Sequence, residues 1–210
     1  MVSSGKLRPP GKPNVFALPK GFLGAVAGWL MARVSKSHNA WAVSKLKLQP
    51  HDHVLEVGFG PGVGVQLIAE RATQGFVVGV DPSPIMLRQA RKRNAAAIKS
   101  GLVELCVGSV ESLPCKDKRF DKVLSVNNVM LWPGPGQSLR EVRRVMKPGG
   151  DLVIALNPRW AKTVQDVEDM GREIIDHISS AGFPQAEMEL RPDLKPAGAV
   201  TVLARAPNPN

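Results

Sequence analysis

The chain is short of most of the groups that carry metal or redox chemistry. Its 210 residues hold two cysteines, Cys106 and Cys115, and four histidines. There is no C-x-x-C, and no histidine cluster stands near either cysteine. Zinc-ligand spacing and a disulfide framework are therefore excluded, and the expected setting is a reducing compartment. No apolar run reaches the ~20 residues that a membrane-spanning helix needs. The longest, residues 21–34, is interrupted by Gly24, Gly28 and Arg33. No apolar stretch near Met1 leads to a small-residue cleavage site, so no secretory signal is expected. No internal repeat and no second domain are visible.

Acidic residues are also missing from one end. Residues 1–51 contain eight Lys or Arg and no Asp or Glu, and Asp52 is the first acid. The remaining residues carry 20 basic and 18 acidic side chains. The net charge of +10 thus belongs mainly to the leader, and the rest is nearly neutral. Such a leader suits a transit peptide, a lipid-facing segment, a polyanion-binding arm or a solvated tail. The expected location is intracellular and cytoplasmic, with a mitochondrial one as the alternative. Residues 1–20 are rich in Pro and Gly and read as an extended, flexible basic arm.

What the chain does have is concentrated in residues 54–64, VLEVGFGPGVG. Val54, Leu55 and Val57 read as a buried strand that runs into a turn with Gly58, Gly60, Gly62 and Gly64. Glycine lets backbone N–H groups approach a ligand closely. Asp81 ends a second apolar strand, FVVGVD, 21 residues after Gly60. An acid at that distance suits a ribose with two free hydroxyls. The spacing alone leaves a dinucleotide open. Glu56, two residues before the first glycine, would repel a pyrophosphate and suit the cationic amino-acid end of S-adenosylmethionine (SAM).

The ordered runs LEVGFGPG, GVDPS, GSVESLP, FDKVLSVNNV and MKPGGDLVIA together resemble the class I, Rossmann-like, SAM-dependent methyltransferases. The resemblance covers roughly residues 45–156. It implies an α/β fold: a seven-stranded, mostly parallel sheet with an antiparallel last strand, helices on both faces, and an N-terminal helical lid. The lid is expected over residues 21–48 and the SAM-binding core over residues 49–206, with a tail at 207–210. The last two strands, 186–190 and 199–206, are expected to form an edge hairpin.

The candidate cofactor residues are Glu56, Gly58, Gly60, Gly62, Asp81, Pro82, Met86, Ser109, Val110 and Asn127. Pro82 can pack on an adenine, and Ser83 is a plausible helix cap. The resemblance puts an apolar residue such as Met86 near the adenine, while its spacing equally allows a core role. The family usually has Asp where Ser109 stands; a serine hydroxyl can still accept a hydrogen bond. The Val110 N–H could meet a ring nitrogen. Asn127 ends the fourth strand, at the switch point where α/β ligands bind.

Asn128 and Trp132 follow between cofactor and acceptor, and Trp132 reads either as a pocket wall or as a buried anchor. The expected helix after the fifth strand starts within a few residues of its end, leaving no room for a substrate-binding insertion. The acceptor pocket must then draw on Trp29 in the lid, Asn128, Trp132 and Trp160. The run after Asn127 is not N-P-P-[YF], which counts against adenine or glutamine methylation.

General bases are scarce. His38, expected between two N-terminal helices, is the candidate catalytic residue; His51 and His53 fall at the wrong end of the first strand. The scarcity favours a soft or already nucleophilic acceptor, or catalysis by positioning. The expected reaction is SAM-dependent methyl transfer to a small, apolar acceptor, without metal. An RNA or protein methyltransferase using the basic arm, and a SAM-binding protein without transferase activity, are the alternatives. Membrane contact is expected to be peripheral at most.

Overall fold

The computed structural model describes residue 7 and residues 36–208. The expected lid helix at 21–34, with Trp29, and almost all of the basic arm lie outside the described residues. At Leu7 the arm is packed: the side chain is buried in the core and its N–H donates to Glu173 Oε2 at 3.0 Å.

The described chain begins with helix α1 (Lys36–Lys45) and continues through β1 (His53–Val57), α2 (Val63–Ala69) and β2 (Phe76–Asp81). Then come α3 (Pro84–Arg93), α4 (Ala95–Lys99), β3 (Val103–Val107) and β4 (Phe120–Val126). A 3-10 turn (Val129–Leu131), α5 (Pro135–Val145), β5 (Met146–Leu156), α6 (Val164–Ser180), β6 (Ala186–Arg191) and β7 (Ala199–Arg205) complete it. The sheet order is β3-β2-β1-β4-β5-β7-β6. Strands β1 to β5 are parallel, and β7 runs antiparallel to both β5 and β6. This is the Rossmann-like arrangement, and the edge hairpin falls where the sequence puts it.

Strand periodicity builds the two faces. Leu55, Val57, Val78, Val80, Val123, Leu152, Ile154 and Leu156 enter one buried cluster with α5 and α6. Their neighbours Val54, Val77, Leu124, Val153 and Ala155 enter a second cluster with α1, α2 and α3. Alternate residues of a strand point to opposite faces, so strands apolar at nearly every position must be covered on both. Each fully buried Leu, Ile or Phe contributes about 1.5–3 kcal/mol of transfer free energy.

Local signals set the helix limits. Ser83 caps α3, its Oγ accepting from Met86 N, with Pro84 at the first helical position. Thr163 and Asp166 form a reciprocal capping box at the start of α6. The sequence pattern predicts the second N-terminal helix over 39–48 and the fifth strand over 151–156, and both boundaries shift. Helix α1 covers Lys36–Lys45, because Lys47 turns left-handed at φ 49°. Strand β5 starts at Met146, because the Lys-Pro-Gly-Gly run is carried into the sheet past an irregularity between Phe120 and Lys122.

Candidate active site

The site is built where β1 and β2 end. The Gly58 N–H donates to Val80 O at 2.7 Å, so the chain leaves β1 still bound to β2. Gly58, Gly60 and Gly62 have φ of 74°, 50° and 80°, a region that suits glycine. The turn is braced from behind by the end of α3. Arg93 Nε donates to Pro61 O at 2.9 Å, and Asn94 Nδ2 donates to Gly62 O at 3.1 Å.

The glycines turn out to do different work. A Cβ at Gly58 would lie 1.2 Å from Asn128 Nδ2, so this glycine admits a neighbouring side chain. One at Gly62 would strike Ala90 and Asn94, and one at Gly64 would strike the Glu56 carboxylate. At Gly60 a Cβ would meet nothing within 4 Å. Of the four, Gly60 is the one with open space beside it.

Asp81 faces that turn. Its Oδ2 accepts from Gly60 N at 2.9 Å and its Oδ1 from Ser83 N at 2.8 Å. The residue is 6% exposed, and burial raises its carboxyl pKa against the lowering effect of those two N–H groups. Each carboxylate oxygen has lone-pair capacity beyond the one bond it accepts.

Glu56 lies on the α2 side of β1, wholly buried, with its carboxylate against Gly64 and accepting from the Val65 N–H. Burial first, and the neighbouring Asp81 charge second, hold its pKa well above the ordinary carboxylate range. Its Oε2 has no hydrogen-bond partner among the described residues.

The other expected residues fall around this centre. Pro82 is exposed, and Met86 is buried in the α2–α3 cluster. Ser109 is exposed at the start of a short turn, its Oγ accepting from Glu111 N at 3.2 Å. Val110 is buried in the opposite cluster. Asn127 adopts φ 53° at the end of β4, and its Oδ1 accepts from Asn157 N at 2.7 Å. Asn157 in turn donates from Nδ2 to Gly198 O at 2.7 Å. The ends of β4 and β5 and the start of β7 are thereby joined.

Asn128 Oδ1 accepts from Trp132 Nε1 at 2.6 Å. Trp132 is 3% exposed within the core, which matches the anchor reading rather than the pocket wall. Trp160 is half-buried at the rim of the same cluster.

His38 is not between helices, as expected, but inside the first turn of α1, and it is 4% exposed. Its ring lies 5.7 Å from that of Trp41. Burial, and then the positive charge of Arg191, lower its pKa to about 4. Such an imidazole is neutral at pH 7 and a weak base. His51 and His53 are exposed at the amino end of β1, as expected. Among the described residues no cluster of His, Cys, Asp and Glu could hold a metal ion, and no helix is long and apolar enough to cross a membrane.

One contributor was missed in the sequence. The helical pattern of residues 138–146 turns Arg140, Arg143 and Arg144 outward to solvent, but Arg144 reaches the turn that carries Ser109 and Val110. It donates to Leu113 O at 3.2 Å and Cys115 O at 3.0 Å, and pairs with Glu141 and Asp117. Glu141 Oε1 also accepts from Leu113 N at 2.8 Å. The spacing of Glu141 and Arg144 on one helix was the available signal.

The fold and this strand-end geometry define a class I, Rossmann-like methyltransferase. A methyltransferase-domain family model matches residues 55–154. An uncharacterized methyltransferase of Bacillus subtilis, YdaC, is 33% identical over 183 residues, 87% of this chain and 98% of the relative. The chain belongs to this SAM-dependent methyltransferase family.

The ubiquinone/menaquinone biosynthesis C-methyltransferase UbiE of Geotalea daltonii is 30% identical over 58% of this chain and 52% of its own length. The fatty-acid O-methyltransferase of Mycolicibacterium smegmatis is 38% identical over 59% of this chain and 42% of its own. The chain thus spans about half of those two relatives. Among solved structures, a putative methyltransferase of Haloferax volcanii in complex with the activator Trm112 matches with a TM-score of 0.74 and 22% identity. It covers 89% of this chain and 95% of that one. A Haemonchus contortus phosphoethanolamine N-methyltransferase in complex with SAM matches at 0.73 and 16%, over 94% and 61%. These two likenesses concern the fold.

Proposed function

We propose that the chain transfers the methyl group of SAM to a small, largely apolar acceptor. The observation that carries the cofactor assignment is the Gly60–Asp81 contact: a buried carboxylate with spare acceptor capacity beside a glycine with open space around it. Asp81 would take the ribose hydroxyls. The backbone of the 58–62 turn, its Gly58, Gly60 and Gly62 N–H groups already bonded within the protein, would lie against the methionine end, with the buried Glu56 carboxyl and its unpartnered Oε2 beneath it. Pro82, Met86, Ser109 and Val110 would border the adenine, and Asn127 would border the methionine part. The uncommitted acceptors and the open space fit the cofactor.

SAM supplies a methyl group already activated on a sulfonium. What remains for the protein is to bind, orient and exclude water, and proximity with orientation can supply much of the rate. The 2.7 Å hydrogen bond from the Asn157 N–H to Asn127 Oδ1 serves that end, because it holds the switch-point backbone in a left-handed turn. The apolar acceptor is supported by Trp160 and exposed Leu131 and Val164 near the carboxyl ends of β4 and β5. It is further supported by relatives whose names give quinone and fatty-acid substrates. An intracellular, reducing setting suits two free cysteines.

Isothermal titration with SAM and, separately, with NADH tests the cofactor. Micromolar SAM binding without NADH binding supports the reading, and the reverse sinks it. Methylation of a panel containing a long-chain alkyl hydroquinone, a fatty acid and tRNA then tests the acceptor class. Transfer to tRNA alone would move the function to the basic arm.

A further inference from the structure

We propose that His38 positions the acceptor by holding its polar head, and that this head is an uncharged hydroxyl. This rests on the methyl-transfer reading and adds the chemistry of the group the acceptor presents.

The location comes first. Helix α1 runs against the direction of the parallel strands. Its last residue, Lys45, pairs with Glu189 within β6 at 2.5 Å, while Arg191 at the end of β6 lies over Trp41, 5.5 Å from the ring centroid. The first turn of α1, with His38, therefore points to the carboxyl edge of the sheet. The connection between β6 and β7 leaves the same edge. It is tied by Lys195 O and Gly198 O to the side chain of Asn157, whose N–H meets Asn127. His38 thus belongs to the edge that holds the switch point, on the face where α1 packs against α2, β4 and β5.

The chemistry follows from what is left unsatisfied. A neutral imidazole has one N–H donor and one acceptor nitrogen. Both ring nitrogens of His38 are buried, and neither has a hydrogen-bond partner among the described residues. Buried polar groups normally find partners, so an unmatched pair needs an explanation.

The charged groups facing it narrow the choice. Arg191 acts on His38 from β6 and disfavours a cationic acceptor. Its guanidinium is already engaged by Asp193, with Nε at 3.2 Å and Nη2 at 2.5 Å from the carboxylate. Lys45 in α1 is likewise engaged by Glu189. Of the described residues around His38, both Arg191 and Lys45 are thus occupied by carboxylates, which leaves neither open to receive another. An uncharged hydroxyl can donate to the bare imidazole nitrogen without bringing a charge into this buried position. The histidine acts as a positioning residue, since an imidazole titrating near pH 4 takes protons poorly at pH 7.

The test follows the ring nitrogens of His38 by NMR in histidine-labelled protein loaded with S-adenosylhomocysteine, with Trp41-adjacent signals assigned through His38→Gln. A long-chain alkyl hydroquinone and palmitate are added separately. The expected result is a shift of the His38 nitrogens with the hydroquinone, without protonation, and none with palmitate. His38→Ala should weaken hydroquinone binding about ten-fold, while His38→Gln, which keeps a neutral donor and acceptor, stays within about three-fold. Both variants should bind S-adenosylhomocysteine like the parent. No shift with the hydroquinone, or a palmitate-induced shift of the His38 nitrogens with or without uptake of a proton from solvent, overturns the proposal. Failure of the unmodified chain to bind S-adenosylhomocysteine, read by calorimetry before any acceptor is added, overturns the methyl-transfer reading and this proposal with it.

Discussion

Gly60 and Asp81 stand 21 residues apart in the chain and meet through a single hydrogen bond, 2.9 Å from the glycine N–H to Oδ2 of the carboxylate. That bond joins the turn after β1 to the end of β2. It preorganises the carboxylate without using up its acceptor capacity. The same oxygen can take a ligand hydroxyl, while Oδ1 is steadied by Ser83.

Asp81→Ala should therefore abolish measurable SAM binding. It should also cost stability, because the Gly60 and Ser83 N–H groups lose their acceptor, at about 1–3 kcal/mol for a buried donor left unpaired. Asp81→Asn retains one acceptor oxygen and turns its NH2 to the other N–H group, so it should lose less stability than the alanine while still losing affinity. Calorimetry with SAM, beside thermal melts, separates the two effects. Unchanged SAM affinity in both variants would remove Asp81 from the site.

The glycines offer a sharper contrast. Gly58→Ala drives a methyl into Asn128, which is hydrogen-bonded to Trp132. It should lower stability by more than about 2 kcal/mol, combining left-handed strain with overpacking. Gly60→Ala meets no protein atom, so its stability cost should be the backbone strain alone, about 1–2 kcal/mol. Yet its methyl enters the open space next to the turn that Asp81 holds, and SAM affinity should fall at least about ten-fold. Equal melting losses in the two variants would contradict this division.

The strands themselves, the edge hairpin, the Ser83 cap and the placing of Asp81 beside the glycine turn could be read from the sequence, through local periodicity or one fixed spacing; the sheet as a whole followed from the family resemblance. The four alternating glycines, by contrast, look alike in the sequence and differ in the structure, because what each one faces is set by residues far along the chain. Gly58 exists for Asn128, Gly62 for Ala90 and Asn94, and Gly64 for Glu56. The bond from the Asn157 N–H to Asn127 and the one from the Leu7 N–H to Glu173 are equally invisible locally. Arg144 was misread as a solvated charge because helical spacing reports which face is apolar, and an arginine can run along that face to reach a neighbouring loop.

Arg144→Ala should loosen the turn at residues 108–117. The guanidinium bonds two carbonyls of that segment, and Glu141, which it orients, accepts the Leu113 N–H. Its side chain is 33% exposed, so the ion pairs themselves are partly screened. The expected effect is faster amide exchange across the turn and about three- to ten-fold weaker SAM binding, with acceptor binding unaffected. Exchange measured by mass spectrometry checks the first part. Protection equal to that of the parent would make Arg144 a surface residue after all.

Glu56 makes the stability of the protein depend on pH in a direction opposite to that of a salt-bridged carboxylate. Its folded-state pKa is raised, chiefly by burial and then by Asp81. In the unfolded chain it ionises near the ordinary glutamate value. Between these two values the folded state holds a proton that the unfolded state has released, so stability falls as pH rises through that window. Glu56→Gln keeps an acceptor for the Val65 N–H and removes the ionisation. Relative to the parent, this variant should gain stability between pH 5 and pH 8, with the gap in melting temperature widening as pH increases. A constant gap across that range would mean that Glu56 titrates alike in both states, and that its carboxylate is ionised beneath the glycine turn without cost.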